Sequence, residues 1–227
     1  MIRLVLLDIE GTTLPISFVR DVMFPYAAKA LPALMQDHTN PTVVAARADI
    51  VMEHPGQDPL KVCQDWMQGD VKAAPLKTLQ GLTWRQGFED GTLQADLYPD
   101  VPPALKAWSK GGLRLAVYSS GSIPSQKLLY GHTAQGDLTP LFEDFFDLST
   151  GGKKAAASYE KITAAVGLPA GEILFLSDIG AELDAAQRAG LSVCQLVREQ
   201  DGTVPHPGVP QAPDLNAVST QFGLPVA

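Results

Sequence analysis

Cysteine is nearly absent from the chain: Cys63 and Cys194 stand far apart and outside any metal or redox spacing, so neither a disulfide framework nor a thiolate metal site organises the fold. Histidine is also sparse, and His38, His54, His132 and His206 form no paired-ligand pattern. Basic residues are too few to balance the acids. A formal net charge of -8 leaves no broad cationic surface for nucleic acid or anionic lipid. No apolar run approaches the roughly 18 residues of a membrane span. The opening Met1-Ile2-Arg3-Leu4-Val5-Leu6-Leu7-Asp8 meets charge too early for a signal peptide. The expectation is a cytoplasmic monomer that engages neither nucleic acid nor membrane.

What is present is an ordinary globular composition, 227 residues of which 45% are apolar, enough for one large domain or a core with an insert. From Ser17 to about Leu93 there are helical pieces and no convincing strand. Phe18, Val22, Tyr26 and Ala30 recur at a spacing of four, with Pro25 expected to kink or break that helix. Asn40-Pro41 and Asp58-Pro59 each read as an N-cap followed by proline in the first turn, and Gly69 as a stop. Leu76, Leu79 and Leu82-Thr83 begin another amphipathic stretch. After Tyr98-Pro99-Asp100 strands and helices alternate, the signature of a parallel sheet with crossover helices. Strands are expected at Leu113 to Tyr118, Phe145 to Leu148, Glu172 to Leu176 and Ser192 to Val197, and helices at Pro102 to Lys110, Ile123 to Tyr130, Ala155 to Val166 and Ala181 to Ala189. Beyond Asp201 a Pro- and Gly-rich tail is expected to wrap the surface. The fold class is therefore α/β, a doubly wound, Rossmann-like parallel sheet over 1–16 and 97–227, with an all-helical insert over 17–96.

Four short segments carry the chemistry. Asp8-Ile9-Glu10-Gly11-Thr12-Thr13 follows the apolar run Leu4 to Leu7, so two acids sit on a tight turn at the carboxyl end of a buried strand. Ser119-Ser120-Gly121-Ser122 ends a second strand, with hydroxyls and N–H groups suited to an anion. Gly151-Gly152-Lys153-Lys154 is a turn with two ammonium groups, and Ser177-Asp178 ends a further strand ahead of Glu182 and Asp184. Each alone also reads as an ordinary turn, cap or surface loop. Together they differ, because a doubly wound sheet brings the carboxyl ends of neighbouring strands to one rim. There a carboxylate nucleophile, a second acid and a carbonyl suit Mg²⁺, which takes oxygen ligands and offsets repulsion between carboxylate and phosphate. A lysine neutralises further charge, and serine with backbone N–H groups orients phosphoryl oxygens.

This order of motifs resembles the haloacid dehalogenase-like hydrolase superfamily, and within it the enolase-phosphatase (acireductone synthase) family. The closer resemblance is carried by Asp8 to Thr13, Ile16-Ser17-Phe18-Val19, Phe24-Pro25-Tyr26-Ala27, Tyr118 to Ser122 with Gln126-Lys127-Leu128-Leu129, Gly152-Lys153, Ser158-Tyr159, and Leu176-Ser177-Asp178 with Glu182 to Ala186. It spans most of the chain. Glu10 is its most specific feature, since most superfamily phosphatases carry Asp there; Glu199-Gln200 after Val197-Arg198 departs from the Pro-Gly common in relatives.

The resemblance implies enolisation and dephosphorylation of 2,3-diketo-5-methylthiopentyl-1-phosphate in methionine salvage. It implies Asp8 as nucleophile and Mg²⁺ ligand, Asp178 as a second ligand, and Glu10 as a third through side chain or main chain. Glu10 also suits proton transfer to the leaving oxygen. Ser119, Ser120 and Lys153 would bind the substrate phosphate. Glu182 and Asp184 are left open between orienting Asp178 or Lys153 and lying on the helix surface. The helical insert would supply part of the recognition of the methylthio tail, and no residue is singled out as the enolising base. Three other functions compete: a phosphatase for another small ester such as a sugar phosphate, a phospho-acceptor signalling module, and a dehalogenase with little use for the metal ligands.

Overall fold

The computed structural model describes residues 1–226. The chain divides into two compact units, Met1–Ser17 together with the chain from Ala95 onward, and Phe18–Gln94. The larger unit is built on six strands: β1 (Leu4–Leu7), β2 (Arg114–Tyr118), β3 (Asp144–Phe146), β4 (Ile173–Ser177), β5 (Ser192–Leu196) and β6 (Gln211–Ala212). They lie in the order β3-β2-β1-β4-β5-β6, and every neighbouring pair is parallel. All residues of β1 and β4 are buried, which is why both strands read as near-continuous Leu, Ile, Val and Phe. Chain order reverses between β1 and β4. That is a topological switch point, where the carboxyl ends of the strands open a crevice.

In the smaller unit, helices α1 (Phe24–Leu34), α2 (Pro41–Glu53), α3 (Pro59–Gln68) and α4 (Ala74–Glu89) pack around Leu31, Met35, Val43, Ile50, Val62 and Leu79. The Asn40 side chain accepts from the N–H groups of Thr42 and Val43, and Asp58 caps α3 through Leu60 N–H, so each proline occupies a position whose missing N–H leaves no helical bond unmade. Pro25 is expected to kink or break the helix, and the helix does not break there. Val19–Met23 forms a π turn in which Phe24 N–H donates to the Val19 carbonyl five residues back, and the helix runs on through the proline. Phe18 of the expected stripe is buried, but past the π turn the buried positions are Met23, Ala27 and Leu31, whereas Val22 of the expected stripe is exposed.

The larger unit carries α5 (Val101–Lys110), α6 (Ile123–Gly131), α7 (Ala156–Val166), α8 (Gly180–Arg188) and α9 (Leu215–Phe222). Leu4 and Leu6, alternate residues of β1, pack with Phe175 against Tyr159, Ile162 and Leu183 of α7 and α8. Burial contributes about 1.5–3 kcal/mol for each large apolar side chain. The Trp108 indole N–H donates to Ser219 Oγ at 2.8 Å, tying α5 to α9. The tail beyond Asp201 is more ordered than a surface wrap. It supplies β6 and α9, with Leu215 and Val218 fully buried. A two-residue strand is too short to show a period of two, but the α9 boundaries are conventional: Asp214 accepts from Ala217 N–H at 2.7 Å, and Gly223 adopts φ 64°.

Candidate active site

Asp8 leaves the end of β1, and its N–H donates to the Leu176 carbonyl of β4 at 2.9 Å, so the pairing of the two strands extends to the first site residue. The carboxylate is buried. Its Oδ1 accepts from Ile9 N–H at 2.7 Å and lies 2.6 Å from Lys153 Nζ, while Oδ2 is 3.2 Å from Ser177 Oγ. Lys153, from the loop after β3, also lies 2.7 Å from Glu182 Oε2 on α8. Ser177 Oγ stands 3.0 Å from that same Glu182 oxygen and accepts from Ile179 N–H. Its single hydrogen serves Asp8 or Glu182, one at a time.

Electrostatics follow from this crowding. Burial pushes the Lys153 ammonium down, but the Asp8 and Glu182 carboxylates outweigh it and hold the group above the ordinary lysine value. Burial, and then the Asp8 charge, push Glu182 up. Asp178, immediately after β4, is raised to about 7, first by burial and then by the Asp8 charge. Asp178 Oδ1 is buried and has no hydrogen-bond partner among the described residues. A side chain at Gly11, where φ is 69°, would collide with the Asp178 carboxyl; glycine there lets the turn after Asp8 pass close to the second acid.

An orphaned oxygen on a buried carboxyl that feels the charge of a second carboxylate fits a hard divalent cation, which takes oxygen donors. Among the described residues no three His, Cys, Asp or Glu side chains gather as a metal cluster. Such a cation could draw on these two carboxylates together with main-chain carbonyls and water.

The structure brings Asp8, Lys153 and Asp178 into one charged cluster, and it resolves the open status of two acids. Glu182 faces inward onto Lys153; Asp184 instead pairs with His206 Nε2 at 2.9 Å. Ser119 and Ser120 follow β2, which lies next to β1 in the sheet. Ser119 is buried and its Oγ accepts from Gly121 N–H at 3.3 Å, while Ser120 is exposed. Among the described residues neither serine side chain hydrogen-bonds to Asp8 or Lys153. Glu10 is exposed on the turn, where it bridges to Leu14. Ser177 had no role assigned from sequence. Its position one residue before Asp178, at the end of a strand paired with β1, was the available signal.

A family model for haloacid dehalogenase-like hydrolase matches residues 2–190. Enolase-phosphatase E1 of Gluconobacter oxydans (strain 621H) is 97% identical over 227 residues, covering all of both chains. The chain belongs to the enolase-phosphatase family of haloacid dehalogenase-like hydrolases. Enolase-phosphatase E1 of Acidiphilium cryptum (strain JF-5) is 50% identical, over 98% of this chain and 97% of the relative. The crystal structure of the UTR4 protein from Saccharomyces cerevisiae superposes with a TM-score of 0.80 at 33% identity, covering 94% of this chain and 98% of that one. Membership makes the chain a hydrolase of the phosphatase class acting on a small phosphorylated molecule. No helix of the described residues is long and apolar enough to cross a membrane.

Proposed function

We propose that the chain converts 2,3-diketo-5-methylthiopentyl-1-phosphate to the dihydroxy-methylthio-pentenone and inorganic phosphate, the acireductone-forming step of methionine salvage, as a cytoplasmic monomer. In this reading 1–16 with 97–227 supplies the chemistry and the helical insert, 17–96, contributes selectivity. Asp8, Asp178 and the main-chain carbonyl of Glu10 would hold Mg²⁺, which when bound offsets the charge of the phosphoryl group and of its transition state.

An Asp8 carboxylate oxygen attacks phosphorus in line, and the bond from phosphorus to the substrate oxygen breaks. Glu10 gives its proton to the departing oxygen and then takes one from the water that hydrolyses the aspartyl phosphate. Lys153 neutralises charge shared between Asp8 and the phosphoryl oxygens. Ser119 and Ser120 orient those oxygens through hydroxyl and N–H groups.

The observation that carries this reading is the buried Asp8–Lys153 pair at the carboxyl end of β1, in a chain 97% identical to an enolase-phosphatase. The Asp178 carboxyl beside it, raised by burial and by Asp8, supports the metal assignment. The test is product identification. Incubation with the methylthio diketone phosphate and Mg²⁺ is expected to release phosphate together with the enol product, followed by its ultraviolet absorbance, and omission of Mg²⁺ to abolish both. Faster turnover of a simple sugar phosphate from a panel of esters, with no enol product, would overturn the substrate. A phosphate persisting on Asp8 would instead indicate a signalling module.

A further inference from the structure

Three successive carbonyls of the lysine loop are each held by a side-chain hydroxyl. Tyr118 Oη donates to the Gly151 carbonyl at 2.9 Å, Ser158 Oγ to Gly152 at 2.8 Å, and Tyr159 Oη to Lys153 at 2.6 Å. These hydroxyls come from the end of β2 and the first turn of α7, both rigid parts of the core. Tyr118 and Tyr159 are fully buried and Ser158 is 2% exposed. Burial also pushes both phenols up, so they stay protonated and remain donors.

Within the loop, the Gly152 carbonyl also accepts from Ala155 N–H at 3.0 Å. Gly151-Gly152 is the most conformationally free dipeptide available, and Gly151 sits at φ 147°. A side chain at Gly151 would collide with Ser158 Oγ, so the glycine that loosens the loop is also what lets the serine reach it. The two phenol rings pack edge to face at 5.5 Å between centroids, and the Tyr118 ring lies 5.8 Å from Lys153 Nζ. Backbone, ring face and ammonium are thereby referred to the same two tyrosines.

We propose that Tyr118, Ser158 and Tyr159 are positioning residues for Lys153, holding its loop so that the ammonium stands between Asp8 and Glu182. The inference rests on the role given to Lys153 under the proposed function. It adds a physical requirement: a long flexible ammonium delivers charge to a phosphoryl group only if its main chain is fixed, because a displacement of about 1 Å can lower turnover about a hundredfold.

Tyr159→Phe tests this, since it keeps the ring and removes only the hydroxyl. Four proteins are compared: wild type, Tyr159→Phe, Lys153→Ala and the double variant. The measurements are kcat and KM for phosphate release, calorimetric affinity for inorganic phosphate in the presence of Mg²⁺, and thermal midpoint. Tyr159→Phe is expected to lower kcat about tenfold and weaken phosphate binding about fivefold, effects of the size that misplacing one charge produces. In the Lys153→Ala background the same change should alter phosphate affinity by less than about twofold, because residues acting through one another are non-additive. Ser158→Ala serves as a second, milder probe, expected to weaken phosphate binding about threefold with the same loss of effect in the Lys153→Ala background.

A lowered thermal midpoint with kcat and phosphate affinity unchanged would make the hydroxyls purely structural and overturn the inference alone. Equal effects of Tyr159→Phe with and without Lys153 would overturn it as well. Should Tyr159→Phe fail to fold, Ser158→Ala decides on the same criteria. If Lys153→Ala itself bound phosphate and turned over like wild type, the role of the lysine would fail first and this inference with it.

Discussion

Two buried cations organise the larger unit, and they are used in opposite ways. Arg198 donates from Nε at 3.3 Å and Nη2 at 2.8 Å to the Thr12 carbonyl, reaches both oxygens of Asp100 at 2.9 and 3.0 Å, donates to the Pro213 carbonyl, and lies 4.0 Å from the Tyr98 ring centroid. Its planar fork is occupied on every side, and one carboxylate balances its charge. Lys153 faces the opposite balance: Asp8 and Glu182 touch it and the Asp178 charge stands nearby, so acids outnumber the ammonium. A saturated guanidinium fixes geometry. An ammonium outnumbered by its acids leaves a negative surplus that a divalent cation can relieve.

The contrast breaks most sharply at Asp8. Asp8→Asn keeps the shape and an acceptor for Lys153 but removes the nucleophile, so turnover should fall by at least about a thousandfold, the scale of losing a covalent step. The thermal midpoint should stay near wild type, since the change relieves repulsion as well as removing a pair. Wild-type rates in this variant would end the assignment of the nucleophile.

Next in size is Lys153→Ala. Turnover should fall about a hundredfold and phosphate affinity should weaken with it, as expected for loss of a preorganised charge. Arg198→Lys should reverse the pattern. A lysine cannot reproduce the two-pronged contacts with Thr12 and Asp100, and disrupting a buried, hydrogen-bonded ion pair costs up to about 3–5 kcal/mol. Chemical denaturation should register that loss, while activity per folded molecule is largely retained. If Arg198→Lys instead abolished turnover at unchanged stability, the division between a structural cation and a chemical one would collapse.

The position of Asp8 at the end of a buried strand was legible because an unbroken apolar run giving way to acids and a glycine marks a strand ending in a turn, although that turn alone also reads as an ordinary one. The position of Asp178 followed from the same logic, applied to the strand ending at Ser177. Glu182 was not legible, because an acid in the first turn of a helix reads equally as a solvated group favoured by the helix dipole, and only packing of α8 on β4 turns it inward. Beyond Phe18 the buried stripe falls one residue later than a spacing of four predicts. A π turn adds a residue to the helical count, and nothing in the local composition other than Pro25 marks where. The three hydroxyls on the lysine loop were hidden for another reason: Tyr118 and Tyr159 are 41 positions apart in number but meet only after β2 and α7 pack. β6 and α9 are not legible because proline and glycine dominate a tail whose buried residues are few.

The smallest expected effect concerns the unequal charge balance directly. Asp178 is raised to about 7 in the fold, above the ordinary carboxylate value of 3.8, by burial and then by the Asp8 charge. The folded state therefore keeps this proton where the unfolded chain has lost it, so its contribution is full below about pH 4 and is lost as pH rises through about 7. Metal-free protein should lose a few degrees of thermal midpoint across that window. Asp178→Asn should flatten the slope. Mg²⁺ must displace the proton to use the carboxylate, so the stabilisation it gives should grow between pH 5 and 7.5 and then level off. A midpoint independent of pH in metal-free wild type, or equal Mg²⁺ stabilisation at both pH values, would mean that the acids around Lys153 are already balanced and that its cluster is as saturated as that of Arg198.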